Sequence, residues 1–311
     1  RVLPAGTTDA GAGVTHARAV GAMVIATLLW SIAGIVTRHL ESVASFEATF
    51  WRSFFNAVAL VVLLGWLRGL RPLGRSLIDG GAVLWLSGLC WAVMFTAFMV
   101  AITMTTVANV LITMAIAPLL TALLARIALG HFLPLRTWVA ILFAGLGIAW
   151  MYAHELGVAD ARNVVGTLVA LFVPIAAAVN WTAIQKSGRG GGDMLPAVLI
   201  GAVLSSVVTL LPALPFQATA HDLGWLALLG VAQLAIPCLI AVAAARRLAA
   251  PEAALLSLLE IVFGVSWTWL GAGESPGQHV LAGGALVVGA MVANEALALR
   301  SRIRVVALPQ A

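Results

Sequence analysis

Charge is scarce in this chain: Asp, Glu, Lys and Arg together make up 9% of its 311 residues, against 62% hydrophobic residues. With a mean hydropathy of +1.07, so little polar surface cannot enclose the apolar remainder in water. That excludes a soluble globule and makes lipid the solvent. Cysteine is nearly absent as well. Cys90 and Cys238 each stand inside an apolar run, which reads as a buried thiol and points to neither a disulfide nor a metal site. Residues 1–17 lack the short apolar core of a signal peptide and read as a loose cytoplasmic tail. No connection between apolar runs is long enough to fold alone, so the membrane part is one unit.

Catalytic signatures are missing too. The six His residues (His16, His39, His131, His154, His221 and His279) fall in the tail or in and beside connections. No H-E-x-x-H, Walker loop or G-x-S-x-G occurs. The chain therefore reads as no enzyme, with no metal and no cofactor, and as unable to pump on ATP by itself.

The basic residues that are present carry the topology. Arg1, Arg18, Arg68, Arg71, Arg75, Arg126, Arg136, Lys186, Arg189, Arg246, Arg247, Arg300, Arg302 and Arg304 fall on alternate connections between ten apolar runs, whereas the other side has only Arg38 and Arg162. Translocation discriminates against Lys and Arg in short loops, so the rich side is expected in the cytoplasm with both termini. This distribution also explains the pI of about 10.5 without nucleic acid. Arg52 lies within a span. The expected location is a bacterial inner membrane, crossed several times.

A helix needs roughly 20 apolar residues to cross the hydrocarbon. The spans read as 19–37, 45–67, 81–103, 106–128, 134–153, 164–185, 194–214, 224–245, 251–271 and 278–298. Gly80 to Ala125 is free of charged side chains and too long for one span, so it must turn near Thr103 to Thr106. Only helices satisfy every backbone group in lipid without closing a barrel, which makes the fold class all-α.

Halfway along, the pattern starts again. Ala108 to Gly147 reads as a helix, a Leu129-Gly130-His131 turn with a Pro behind it, and a Gly-bearing helix with Gly145 and Gly147. About 143 residues later, Pro251 to Gly289 reads as a helix, a Gly273-Glu274 turn with Pro276 behind it, and a helix with Gly284 and Gly289. Five spans per repeat is an odd number, so the second copy is expected upside down relative to the first. The organisation expected is a tail over 1–18, a five-helix repeat over 19–155, a second over 156–299 and a cytoplasmic tail over 300–311. Inverted repeats of this kind mark secondary transporters, with the substrate near the midplane, although duplication also builds symmetric scaffolds.

The Trp30-Ser31 pair, Arg52, Ala108 to Pro118 with Leu119, Leu259-Glu260, and Gly273-Glu274 followed by Gly284 and Gly289 stand in one order at half-length spacing. Over residues 19–298 this resembles the EamA-type ten-helix permeases of the drug/metabolite transporter superfamily. It departs at His131, where the family's turn carries Glu, which removes a symmetric pair of turn carboxylates. The resemblance implies an exporter or facilitator of small metabolites, including amino acids and, in some bacterial members, aromatic ones. It also implies that spans one to four and six to nine surround a central cavity, with five and ten bracing the outside.

Polar groups at depth cost several kcal/mol when unpaired, so those that persist bond to each other or face a wet cavity. Glu260 lies roughly 14 Å into the ninth span at 1.5 Å per residue, with Ser257 and Gly264 on its face. It reads as a substrate-amine or proton site, or as a structural partner of Arg52, which has Asn56 one turn further in. Asn109 and Thr113 hold a comparable place in the first repeat, and Asn180 and Gln233 are the other deep amides. Their donors and acceptors suit an α-amino acid, and interhelical bonding is the alternative for each. Among the eleven Trp, Trp66, Trp138, Trp150 and Trp225 stand near span ends as belt residues. Trp30, Trp91, Trp181 and Trp267 are deeper, where they line a cavity or pack. Pro118, Pro174 and Pro237 each interrupt a span, as gates or static kinks, while Pro251 stands harmlessly in a first turn. The expectation is a secondary transporter of small amphipathic metabolites, amino acids first, with a broad efflux carrier, a channel or a structural subunit as alternatives. Its partners are a small-molecule substrate and membrane lipid, and a monomer is compatible with this.

Overall fold

The computed structural model describes residues 9–37, 39–41, 43–105, 107–130, 133–152, 161–189, 192–272 and 278–306. Arg1, Arg38, Thr106, His131, His154 and the Gly273, Glu274 and Pro276 turn lie outside them. Among the described residues every regular element is helical. Four helices among these residues are long and apolar enough to cross a membrane: Ser45–Arg68, Gly81–Ile102, Val164–Ser187 and Ala220–Ala245, accompanied by shorter apolar helices. The chain is a multi-pass membrane protein.

In chain order the helices are α1 (Asp9–Trp30), α2 (Ala33–Thr37), α3 (Ser45–Arg68), α4 (Leu70–Asp79), α5 (Gly81–Met104), α6 (Val107–Met114), α7 (Ala117–Leu129), α8 (Leu135–Tyr152), α9 (Ala161–Arg189), α10 (Leu195–Leu210), α11 (Ala220–Leu228), a π-helical turn (Leu229–Ala235), α12 (Ile236–Ala245), α13 (Ala250–Ser257), α14 (Leu259–Ala272) and α15 (Gln278–Val306). Two differ from the sequence reading. α1 begins at Asp9, so part of the segment expected to be a loose tail is helical, and His16 is buried against Glu252 at 3.1 Å. The connection between the second and third spans folds as α4, because Leu73 and Leu77, one turn apart, both reach the core.

Several helices are interrupted for visible chemical reasons. At Ser31 and Ile32, between α1 and α2, the hydroxyls of Thr27 and Ser31 donate to the carbonyls of Val24 and Leu28, which competes with the helical ladder. Between α6 and α7 the break at Ala115 and Ile116 precedes Pro118, which has no N–H to offer the carbonyl four residues back. The π turn ends just before Pro237. At Leu258, between α13 and α14, Ser257 donates its hydroxyl to the Ala254 carbonyl. Pro174 departs from expectation: it lies inside α9, whose helix runs on through it.

The packing forms a closed ring. α1 packs on α12 and on α13; α3 lies between the π turn and α10; α5 lies between α10 and α9; α9 meets α7, and α7 meets α13. α8 and α15 pair with each other beside this ring. There Gly147 allows the close approach, since a Cβ on it would fall 2.7 Å from the Gly283 carbonyl oxygen.

Polar ties hold each end of the bundle. At one end the buried Glu47 carboxylate accepts hydrogen bonds from the backbone N–H groups of Gln217 and Ala218 at 2.8–3.0 Å, and Asp222 accepts from Glu41 N–H at 2.9 Å. At the other end Arg68 pairs with Asp193, and Gln185 Oε1 accepts from Ala250 N–H at 3.0 Å. Each tie joins segments that the charge pattern puts on one side of the membrane.

Candidate functional site

At the centre of the ring lies a cavity of about 120 Å³, and the interruptions open onto it. Trp30 stands at the end of α1, Met114 and Ala117 flank the break before α7, Gln233 and Leu234 belong to the π turn, and Ser257, Leu258 and Glu260 surround the break before α14. Continuous helices complete the wall with Arg52 from α3, Trp91, Met94, Phe95 and Phe98 from α5, and Pro174 and Trp181 from α9. The wall is mostly apolar and aromatic, with a few polar groups aimed inward, the usual composition of a small-molecule site.

Arg52 is held in place by the backbone beneath it. Gly230 of the π turn lies so close to α3 that a Cβ on it would sit 2.8 Å from the Arg52 carbonyl oxygen and from Asn56 N. Only glycine lets these two elements meet there. The Arg52 guanidinium is buried and donates through Nη2 to the Phe95 carbonyl at 3.0 Å, and its Nε has no partner among the described residues. Glu260 lines the same chamber. The two charges sense each other, but no salt bridge joins them among the described residues, and the carboxylate makes no hydrogen bond there. A structural ion pair is therefore not what keeps Glu260 at this depth in the state described.

Gln233 donates Nε2 to the Trp30 carbonyl at 3.3 Å, and its Oε1 is buried without a partner among the described residues. Trp91 Nε1 is likewise buried and unpartnered. Leaving a buried polar atom unmade costs about 1–3 kcal/mol, so three atoms on one chamber wall (Arg52 Nε, Gln233 Oε1 and Trp91 Nε1), with the half-buried Glu260 carboxylate on the same wall, form a ready set of contacts for water or a polar ligand. The aromatic side is ordered. Trp91 meets Trp181 edge to face at 6.1 Å between ring centres and Phe95 at 5.5 Å.

Of the residues singled out in the sequence, Trp30, Arg52, Trp91, Trp181, Gln233, Ser257 and Glu260 are brought together on this wall. Asn180 is not. It is fully buried and accepts from the Ser87 hydroxyl, which ties α9 to α5. Thr113 is buried on α6 away from the lining, and the Asn109 side chain lies outside the described residues. Trp267 donates Nε1 to Ser31 Oγ at 2.8 Å and does not line the cavity. Among the expected belt residues, Trp66 and Trp150 are exposed, whereas Trp138 packs on the core and Trp225 donates to His221 Nε2 at 3.1 Å within the outer cluster. Sequence reasoning missed Met94, Phe95 and Phe98. With Trp91 they recur at i, i+3, i+4 and i+7, a one-face pattern that could have marked them.

The sequence profile of the EamA-like transporter family matches residues 17–153, less than half of the chain. A solved structure titled only "Crystal structure of protein" is similar in fold, with a TM-score of 0.73 at 17% identity, covering 91% of this chain and 98% of that one. At that identity the likeness speaks for the fold alone. No curated protein matches the sequence. The family match supports the drug/metabolite transporter superfamily, whose EamA-like members are transporters rather than enzymes.

Proposed function

We propose that this protein is a ten-span secondary transporter, built from two inverted five-helix repeats, that exports or equilibrates small amphipathic metabolites, with amino acids, including aromatic ones, as the leading class. The observation that carries the reading is the convergence of broken helices on one central chamber with a partnerless carboxylate and a buried guanidinium. In transporters, interrupted helices supply the freed backbone groups and the movable halves of a substrate site.

The repeat has two supports. The breaks at Ala115 and Leu258 are separated by the same shift of about 143 residues that relates the two halves in sequence. The packing ring also maps onto itself when each span is exchanged for the one five places on: α1 on α12 becomes α9 on α5, the π turn on α3 becomes α5 on α10, and α7 on α9 becomes α13 on α1. Pairs α3–α10, α7–α13 and α8–α15 map onto themselves, as pairs on a two-fold axis must.

Glu260 would take an ammonium group, Arg52 Nε a carboxylate, and Trp30, Trp91 and Trp181 an apolar or aromatic side chain. At about 120 Å³ the chamber lies below the usual range for a drug-sized ligand, so loading a large aromatic substrate would require the helices around it to move. α7 and α13 pack on each other, whereas α6 packs on α9 and α8, and α14 on α1 and α2. This supports a state closed on the Arg-rich side, and alternating access would transfer that closure to the other. The largely apolar wall favours a broader efflux carrier as the second reading.

Counterflow in proteoliposomes decides. A carrier of amino acids should show saturable uptake of labelled phenylalanine or tryptophan accelerated by unlabelled substrate on the far side. Linear flux would indicate a channel, no flux a scaffold, and acceleration by unrelated cationic drugs the broader carrier.

A further inference from the structure

α4 is a cross-piece joining two membrane spans, and its faces are sorted three ways. Leu73 and Leu77 form a stripe that reaches the core. Beside it runs an apolar stripe left open, Leu70, Gly74 and Ile78, with Leu70 65% and Ile78 83% exposed. The third stripe is Arg71 and Arg75, one turn apart, exposed and with no hydrogen bond or ion pair among the described residues. Asp79, a turn beyond Arg75, makes no ion pair with it either.

The chain is bent into this position by two glycines. Gly69 has φ +85° and Gly81 φ +66°, conformations that only glycine adopts without strain, and they stand at the corners where α3 turns into α4 and α4 into α5. Because Ser45–Arg68 and Gly81–Ile102 are both long enough to cross the membrane, the helix between their ends lies at a bilayer surface. Two more apolar side chains frame it, Trp66 at 82% exposure and Trp85 at 50%. Water does not account for so much exposed apolar area beside two free cations; an acyl layer below a phosphate layer does.

We propose that α4 is an in-plane interfacial helix and that Arg71 and Arg75 form a binding site for the headgroup phosphate of an anionic phospholipid, whose acyl chains lie along Leu70, Ile78 and Trp66. Charge complementarity selects the occupant, because a zwitterionic lipid cancels the attraction of two unpaired guanidinium groups that an anionic one keeps. Asp79 limits the seat to the Arg71 end of the stripe, since its carboxylate repels the same phosphate.

Native mass spectrometry of the full-length protein in detergent, titrated with phosphatidylglycerol or with phosphatidylcholine, tests the proposal. Phosphatidylglycerol should bind more tightly, and R71Q/R75Q should reduce that preference by roughly tenfold to thirtyfold, from about 1 kcal/mol per basic residue near the surface. Binding of phosphatidylcholine should stay the same, which also reports that the variant is folded. R71K/R75K should keep the preference, and Asp79→Asn should increase it. An unchanged preference in R71Q/R75Q, or an equal loss in R71K/R75K, would overturn the assignment.

Discussion

At the scale of single residues, the cavity holds one carboxylate and one guanidinium that do not neutralise each other directly. If Glu260 holds the substrate ammonium or a proton, substrate binding should be present while the carboxylate is ionised and fall away as pH drops through its titration. Glu260→Gln keeps shape and hydrogen bonding but cannot titrate, so proteoliposome flux in that variant is expected to lose its pH dependence. Flux with an unchanged pH profile would remove the residue from that role. The Trp residues make a separate prediction. Trp30→Ala, Trp91→Ala and Trp181→Ala should each weaken aromatic substrates by about 0.5–1.5 kcal/mol, roughly two- to twelve-fold in competition assays. Small substrates should lose less; equal losses for every substrate would favour packing over recognition.

Among elements, the interruptions matter more than the helices they divide. Hydroxyl back-bonding before Ile32 and Leu258 and proline at positions 118 and 237 weaken the ladder locally, and each weak point borders the chamber. The π turn is the most constrained of them. Gly230→Ala would put a methyl group within 2.7–2.8 Å of Phe55 Cβ and of the α3 backbone, atoms that cannot yield separately. A destabilisation of about 1–3 kcal/mol is expected, seen as a lower melting temperature in detergent. Gly289→Ala, where nothing lies within 4 Å, is the matched control. It should be neutral or stabilising by up to about 1 kcal/mol, because glycine in an open helix carries only an entropic cost. Similar melting of the two variants would mean that the close approach at Gly230 is not what positions Arg52.

For the molecule as a whole, sidedness and facing are open to one kind of measurement. Asp222 is buried and caps α11, so its neighbour His221, which is exposed, is the better reporter of that end. A cysteine at His221 should react with an impermeant thiol reagent from outside the cell, and one at Asp79 only from the cytoplasm. Reversed access would invert the orientation and the direction of export with it. Because α7 and α13 close one end of the ring, Ser257→Cys should be reached from the His221 side. Protection by substrate would tie that access to the chamber.

Much of this was legible in the residues alone. Charge scarcity required lipid, the segregation of Arg set the expected sidedness, and the half-length echo of the motifs pointed to a repeat, because each is a property of one-dimensional order. Glu260, Arg52 and the deep Trp residues stood out because a polar or amphipathic side chain in an apolar run is conspicuous. What the sequence could not decide is which of them meet. Asn180 and Gln233 look alike as deep amides, and each has one bonded and one unpartnered polar atom among the described residues, yet Asn180 is tied to Ser87 between α5 and α9 while Gln233 stands on the chamber wall. Arg52 and Glu260 look like an ion pair, yet no salt bridge joins them among the described residues, and the guanidinium donates through Nη2 to the Phe95 carbonyl instead. Helix α4 and the extension of α1 to Asp9 were hidden for the same reason. For α4 and for α1 the visible contacts, Leu73 and Leu77 on the core and His16 on Glu252, come from segments far away in the chain, and only packing supplies them.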